Sequence, residues 1–349
     1  MLRYFKHFGG KLTKERLTQY EKSPNWQKGS FKNLEVTTMD ITLAKLPGML
    51  YQQIFKKEGR APESPLPVIP FDKEAFLAPS DKAKFIWYGH SVVLMRINGK
   101  TILIDPMLGP DAAPIAPFST ARFSENTLGL INDFPEIDLM LMTHDHYDHV
   151  DLASFKLLKP KVMKYFVSIG TARHYEDWGI SKNLITEFDW WDTAEFEGIK
   201  IHFTPTRHFA GRGVTNRAKS FWGGWTFQTE KENIYFSGDG GYGDHFKEVG
   251  ERLGPFDFGF MECGQYNELW HQIHNYPEET VQVALDAQVK NIMPVHWAGF
   301  ALAMHPWKEP VERFTAEAPK QKQAYITPRI GELFTADSVG KDEWWEEHT

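Results

Sequence analysis

The sequence predicts an α/β protein of layered sheets with helices on the outside. Three observations predict it. Short apolar runs of strand length recur from residue 85 onward, the runs fall into two groups, and helical stretches lie between them. A chain of 349 residues buries roughly three quarters of its unfolded surface, so it needs no staple, and the single cysteine, Cys263, allows no internal disulfide.

In chain order, residues 1–80 read as an N-terminal extension packed on the core, and 81–349 as the core domain. The extension begins basic and polar. Ile41 to Phe55 then reads as a helix broken at Pro47-Gly48, and Glu58 to Pro67 is too rich in proline for regular structure. Strands are expected at 85–88, 92–97 and 101–104, the last two joined by Asn98-Gly99, a tight-hairpin signal. Further strands follow at 137–143, 162–167, 184–188, 199–203, 225–229, 234–237, 256–261 and 291–295. Ile199, Ile201 and Phe203 alternate with Lys200 and His202, the period of a half-buried strand. Helices are expected at 151–159, 170–177, 243–252, 277–289 and 308–316. The clearest opens with Pro277-Glu278-Glu279 and carries an apolar stripe of Val281, Ala284, Leu285 and Val289.

Charge narrows the functions. With 39 basic and 46 acidic residues the chain carries −7, which counts against a nucleic-acid binder built on phosphate contacts. No run approaches the ~20 apolar residues of a membrane span. Met1 to Phe8 lacks the apolar core of a signal peptide, so a cytoplasmic protein is expected. Its mixed basic and aromatic residues leave room for a weak peripheral membrane contact. Composition leaves the oligomeric state open.

The densest chemistry is His144-Asp145-His146-Tyr147-Asp148-His149, three imidazoles and two carboxylates in six residues. It lies between the apolar run 137–143 and a helix start at Asp151, on a strand-to-helix loop where alternate side chains can surround one point. Neutral imidazole and carboxylate suit zinc and similar divalent ions. Three later positions share that context: His208, Asp239 and His296 each follow an apolar strand. Glycines flank Asp239 and let backbone approach a buried centre. Two ions, each needing at least three protein ligands and an open position, would be satisfied by seven of these eight residues. No serine or cysteine nucleophile motif competes with them.

The pattern His-x-His-x-Asp-His resembles the signature of the metallo-β-lactamase superfamily. The resemblance implies an αββα four-layer sandwich and two divalent ions, zinc favoured, with manganese, iron or nickel as alternatives. It assigns His144, His146 and His208 to one ion, Asp148, His149 and His296 to the other, and Asp239 as a bridge. Trp87-Tyr88-Gly89-His90-Ser91, Leu103-Ile104-Asp105-Pro106, Ser237-Gly238-Asp239, Gly254-Pro255-Phe256-Asp257, His274 before Pro277-Glu278-Glu279, and His296-Trp297 before Phe300 recur in this order. Together they resemble the branch containing N-acylphosphatidylethanolamine-hydrolysing phospholipase D and its bacterial relatives. That implies a phosphodiesterase using a metal-bridging hydroxide on a small-molecule or lipid-like substrate. A lactone, ester or amide hydrolase is the alternative; a nuclease or a non-catalytic metal-binding protein ranks lower. Two departures stand out: Gly240 where the phospholipase has threonine, and Glu262 to Trp270 in place of a proline-arginine segment.

Asp148 is expected both to ligate and to accept a hydrogen bond from the nucleophile. His274 matches a pocket histidine, expected to protonate a leaving group or bind a phosphoryl oxygen. His90 and Asp105 are expected to hold ligand imidazoles in one tautomer. His271 and His305 are weaker pocket candidates. Among Trp222, Trp225, Trp270, Trp297 and Trp307, most are expected in the core and some in a pocket wall.

Overall fold

The computed structural model describes residues 6–113, 119–213 and 215–349. The chain begins with helix α1 (Lys14–Tyr20), the small pair β1 (Trp26–Gln27) and β2 (Ser30–Phe31), α2 (Leu46–Phe55) and α3 (Lys73–Leu77). It then builds a first sheet from β3 (Lys84–Trp87), β4 (Val93–Ile97), β5 (Lys100–Ile104), β6 (Leu139–Met142), β7 (Tyr165–Ser168) and β8 (Ile185–Phe188), with α4 (Thr127–Asp133), α5 (Leu152–Leu158) and α6 (Ala172–Asp177) between them. A second sheet follows from β9 (Thr193–Phe196), β10 (Ile199–Thr204), β11 (Gly224–Gln228), β12 (Asn233–Phe236), β13 (Phe256–Glu262), β14 (Val289–Val295) and β15 (Ala324–Tyr325), with α7 (His245–Leu253), α8 (Pro277–Asp286) and α9 (Glu309–Glu317). Strand β16 (Leu333–Thr335) returns to the first sheet beside β3. The orders are β16-β3-β4-β5-β6-β7-β8 and β15-β14-β13-β12-β11-β10-β9.

Side-chain alternation makes this a four-layer αββα sandwich. Phe85, Trp87, Leu139 and Leu141 of the first sheet pack in one cluster with Ile201, Phe203, Phe236 and Phe260 of the second. The opposite faces are buried too. Ile86, Leu103 and Met140 meet Ile131 of α4 and Phe155 and Leu158 of α5, while Tyr235, Met261 and Ile292 meet Val249 of α7, Val281 of α8 and Phe314 of α9. Sheets covered on both faces need apolar residues at every strand position, and Leu139-Met140-Leu141-Met142 supplies them.

Strand direction fixes where the loops gather. β12, β13 and β14 are parallel, and β10 runs antiparallel to β11, itself antiparallel to β12. The C-terminal ends of β10, β12, β13 and β14 therefore share one edge. In the first sheet β5 and β6 are parallel and β4 opposes β5, so the start of β4 and the ends of β5 and β6 also share an edge.

Several expectations need correction. Pro47 lies in the first turn of α2 and starts that helix rather than breaking it, because a missing N–H costs nothing there. The helix expected at 277–289 stops at Asp286: Gln288 turns with φ 59° and Val289 opens β14. Its stripe accordingly loses Val289, and Leu285 is exposed. Strand β9 was not foreseen, since Thr-Ala-Glu-Phe has no apolar run and is held as an edge by β10. In the extension, Tyr20, Trp26 and Phe31 join the inter-sheet cluster, with Phe31 stacked 4.6 Å from Phe221. No helix among the described residues is long and apolar enough to cross a membrane.

Candidate metal centre

All seven predicted ligands meet at the strand-end edge. His144, His146, Asp148 and His149 leave β6, His208 follows β10, Asp239 follows β12 and His296 ends β14. His144 Nε2 lies 2.9 Å from His146 Nδ1, and His208 Nε2 lies 3.3 Å from the same atom. Asp148, His149 and His296 form a second group, which also takes in His90. Asp239 Oδ2 is 3.0 Å from His149 Nε2, 3.9 Å from His144 Nε2 and 4.0 Å from His208 Nε2, and its Oδ1 is 3.2 Å from His296 Nδ1. Asp239 thus touches both groups.

Hydrogen bonds on the far side of each ring tell which nitrogen carries the proton. His208 Nδ1 donates to the Ile273 carbonyl at 3.0 Å, so Nε2 turns a lone pair inward. His149 Nδ1 donates to Asp105 Oδ2 at 2.8 Å, which turns its Nε2 towards Asp239 at 3.0 Å. Thr143 Oγ1 donates to Asp105 at 2.6 Å and accepts from His144 Nδ1 at 3.0 Å, turning His144 Nε2 inward as well. His296 Nε2 is buried without a partner. Lone pairs facing one another and facing carboxylates repel, and burial strengthens that repulsion. Divalent cations between them would reverse its sign. Two nitrogens bound to one tetrahedral zinc at ~2.0–2.1 Å would sit roughly 3.3 Å apart, close to the spacings seen. The residues fit a metal site.

The titration shifts have the same origin. Burial holds His146 at about 4 and His144 and His208 well below their ordinary values. Burial pushes Asp239 up to about 6 against the pull of His149. Burial would also lower His149, but Asp239, Asp148 and Asp105 hold it well above its usual value.

Backbone strain collects here. His90, Asp105, Gln265 and His296 have φ of 55°, 43°, 57° and 72°, conformations that side chains with a Cβ rarely adopt. At Gly241 an added Cβ would lie 2.3 Å from the Gln272 backbone, so glycine lets the Asp239 loop close onto residues 271–272.

Of the two residues expected to hold ligand imidazoles, Asp105 accepts from the His149 ring. His90 differs: its Nε2 meets the Asp148 carboxylate at 2.9 Å rather than an imidazole. His274 lines the metal cavity, with its Nδ1 3.0 Å from Glu262 Oε1. His271 and His305 are not brought to that cavity. His271 pairs with Glu279 at 2.7 Å, and His305 accepts from the Gln265 N–H at 2.9 Å and stacks on Tyr266. Of the tryptophans, Trp270 lines the metal cavity and Trp222 a neighbouring one, while Trp225, Trp297 and Trp307 lie in the core.

Sequence reasoning missed three residues. Glu262 is buried at the end of β13, and its other oxygen accepts the Asn275 N–H at 3.0 Å. Gln265 Oε1 accepts from Leu302 and Ala303 N–H at 2.9 Å, pinning the loop after His296. Asn33 clamps His208 from the extension, donating to its carbonyl at 2.8 Å and accepting its N–H at 3.1 Å. Glu262 had a usable signal, a carboxylate ending an apolar strand. Asn33 had none. A cavity of about 290 Å³ stands over the centre, walled also by Met39 and Ile41 of the extension.

Residues 100–297 match the Beta-lactamase superfamily domain, and the chain belongs to that superfamily. Its class is metal-dependent hydrolase of the metallo-β-lactamase fold. A Mycobacterium tuberculosis protein of uncharacterized function is 31% identical, covering 93% of this chain and 88% of its own. An N-acyl-phosphatidylethanolamine-hydrolyzing phospholipase D of Caenorhabditis elegans is 30% identical over 72% of this chain and 75% of its own. Among solved structures, a metallo hydrolase from the archaeon Ignicoccus hospitalis superposes with TM-score 0.57 at 18% identity, covering 74% of this chain and all of that one.

Proposed function

We propose that this protein is a binuclear metal-dependent phosphodiesterase acting on a small or lipid-like phosphodiester. The observation that carries the reading is the ligand set: two groups of inward-facing donors joined by one carboxylate, with no nucleophilic serine or cysteine among the residues lining the cavity. His144, His146 and His208 would hold one ion, Asp148, His149 and His296 the other, and Asp239 would touch both. When bound, the ions supply Lewis acidity, activating water near neutral pH and taking up charge on a departing oxygen.

The chain's own residues do the rest. His90 donates to Asp148 and leaves its second oxygen free to orient a water. Glu262 fixes His274 through Nδ1, so that Nε2 can hold or hand over a proton in the cavity. Met39, Ile41, Trp270 and Ile273 make part of the wall apolar. The phosphodiester preference is supported by the phospholipase D relatives. A lipid-like substrate is supported by the chain leaving Ile41, where Leu43, Leu50, Tyr51 and Phe55 are 57–85% exposed.

His146→Ala and Asp239→Ala test the reading. Each is expected to lose bound metal and to lower bis-p-nitrophenyl phosphate hydrolysis at least ~100-fold, with an unchanged circular dichroism spectrum. Full activity in either variant, or faster turnover of lactones than of phosphodiesters by the wild type, would overturn it.

A further inference from the structure

A second cavity of about 510 Å³ opens beside the metal cavity and shares Met39, His208, Phe209 and Ile273 with it. Its walls include apolar Phe31, Leu34, Val36 and Trp222, and two cations, Lys32 and Arg217. The Arg217 guanidinium carbon lies 3.6 Å from the centre of the Phe209 ring. That ring stacks 5.1 Å from His208 and meets His146 at 4.7 Å. One aromatic ring therefore separates the guanidinium from two imidazoles of the metal centre.

Arg217 stands apart in its bonding. It is the one arginine among the described residues whose donors meet no oxygen; its contact is the Met39 sulfur at 3.6 Å. The others reach carboxylates, as Arg16 and Arg313 do, or carbonyl and hydroxyl oxygens, as Arg122 and Arg96 do. Glu35, the carboxylate of the same cavity, is occupied by the Asp244 N–H at 3.1 Å and by Arg207 at 3.8 Å. Lys32 forms no ion pair with a described residue. Arg217 is exposed and held over the Phe209 ring, which leaves its fork of donors open to an anion entering the cavity.

We infer that this annex binds a second anionic group of the substrate, a phosphate or carboxylate joined to the scissile phosphodiester through an apolar spacer. Arg217 is its forked partner, with Lys32 adding charge. The inference rests on the phosphodiesterase reading and narrows its substrate class: the apolar walls accommodate the spacer, and the metal centre takes the scissile group.

The test titrates the full-length, metal-loaded protein calorimetrically with three probe series of increasing chain length: alkylphosphonates, α,ω-alkanebisphosphonates and ω-phosphonoalkanoates. At one chain length a doubly charged probe is expected to bind at least about tenfold tighter than the alkylphosphonate, the usual gain for a charged hydrogen bond. Arg217→Gln is expected to close that gap, and Arg217→Lys to keep part of it. A gain for the bisphosphonate alone identifies phosphate as the second group, and a gain for the phosphonoalkanoate alone identifies carboxylate. Equal binding of all three series in the wild type, or a gap that survives Arg217→Gln, overturns the inference while leaving the phosphodiesterase reading intact. Failure of every phosphonate to bind would sink both.

Discussion

Glu262 brings a carboxylate where burial disfavours its charge, and burial pushes its pKa well above the ordinary value. Two hydrogen bonds hold it there, one from His274 Nδ1 and one from the Asn275 N–H, each 3.0 Å. Glu262→Gln keeps the shape but removes the titratable carboxyl group that orients His274. We expect kcat to fall about 10–100-fold with KM and metal content little changed, the range for partners behind a reactive group. The kcat–pH profile should lose one limb, which a purely structural role would not alter; unchanged kcat and profile would dismiss the positioning role. The ligands themselves were readable in the sequence because histidine and aspartate cluster in one hexapeptide and recur after strands. Glu262, Gln265 and Asn33 were not, because each acts through a bond to a residue distant in sequence, and spacing carries no trace of such a bond.

Helix α7 packs closely on the end of α8. A Cβ on Gly250 would lie 2.6 Å from the Asp286 carbonyl and 2.9 Å from Ala287 Cα. Alanine would favour the helix by ~1 kcal/mol over glycine, but a backbone clash of this kind costs about 1–3 kcal/mol and a backbone yields little. The clash wins. Gly250→Ala should lower the urea midpoint by the equivalent of up to about 2 kcal/mol while leaving metal content unchanged, because this contact lies on the outer face of the second sheet. A midpoint equal to or above wild type would show that the helices can separate freely. Element existence was legible wherever apolar period and breakers agreed, as at Asn98-Gly99 and at Pro277. It failed at β9 and at the end of α8, where pairing with β10 and the turn at Gln288 overrode local pattern.

The whole molecule folds around buried neutral histidines, and acid should find them. Burial holds His245 at about 3, and its Nε2 has no partner. An unfolded histidine titrates near 6.5, so below that pH the unfolded chain takes up a proton that the folded chain refuses until about pH 3. The stabilisation is complete above pH 6.5 and is lost as pH falls through this window. At pH 5 the loss from this residue alone is about 2 kcal/mol. His174, held at about 3 by burial and the Arg173 charge, adds to it. Thermal unfolding of His245→Leu should therefore show a flatter decline between pH 7 and 5 than the wild type. Parallel curves would mean that His245 titrates normally in the fold.

Sequence by itself determined the donor types, their attachment to strand ends and the layered α/β class, because ligand chemistry and apolar period are local properties. Only the tertiary structure decided that parallel strands bring His208, Asp239 and His296 to one edge beside the 144–149 loop. It also decided that Met39 and Ile41 wall the metal cavity, and that Arg217 faces a neighbouring space with no oxygen to meet. These are matters of which distant surfaces share a volume, and that is set by packing two sheets together rather than by any run of residues.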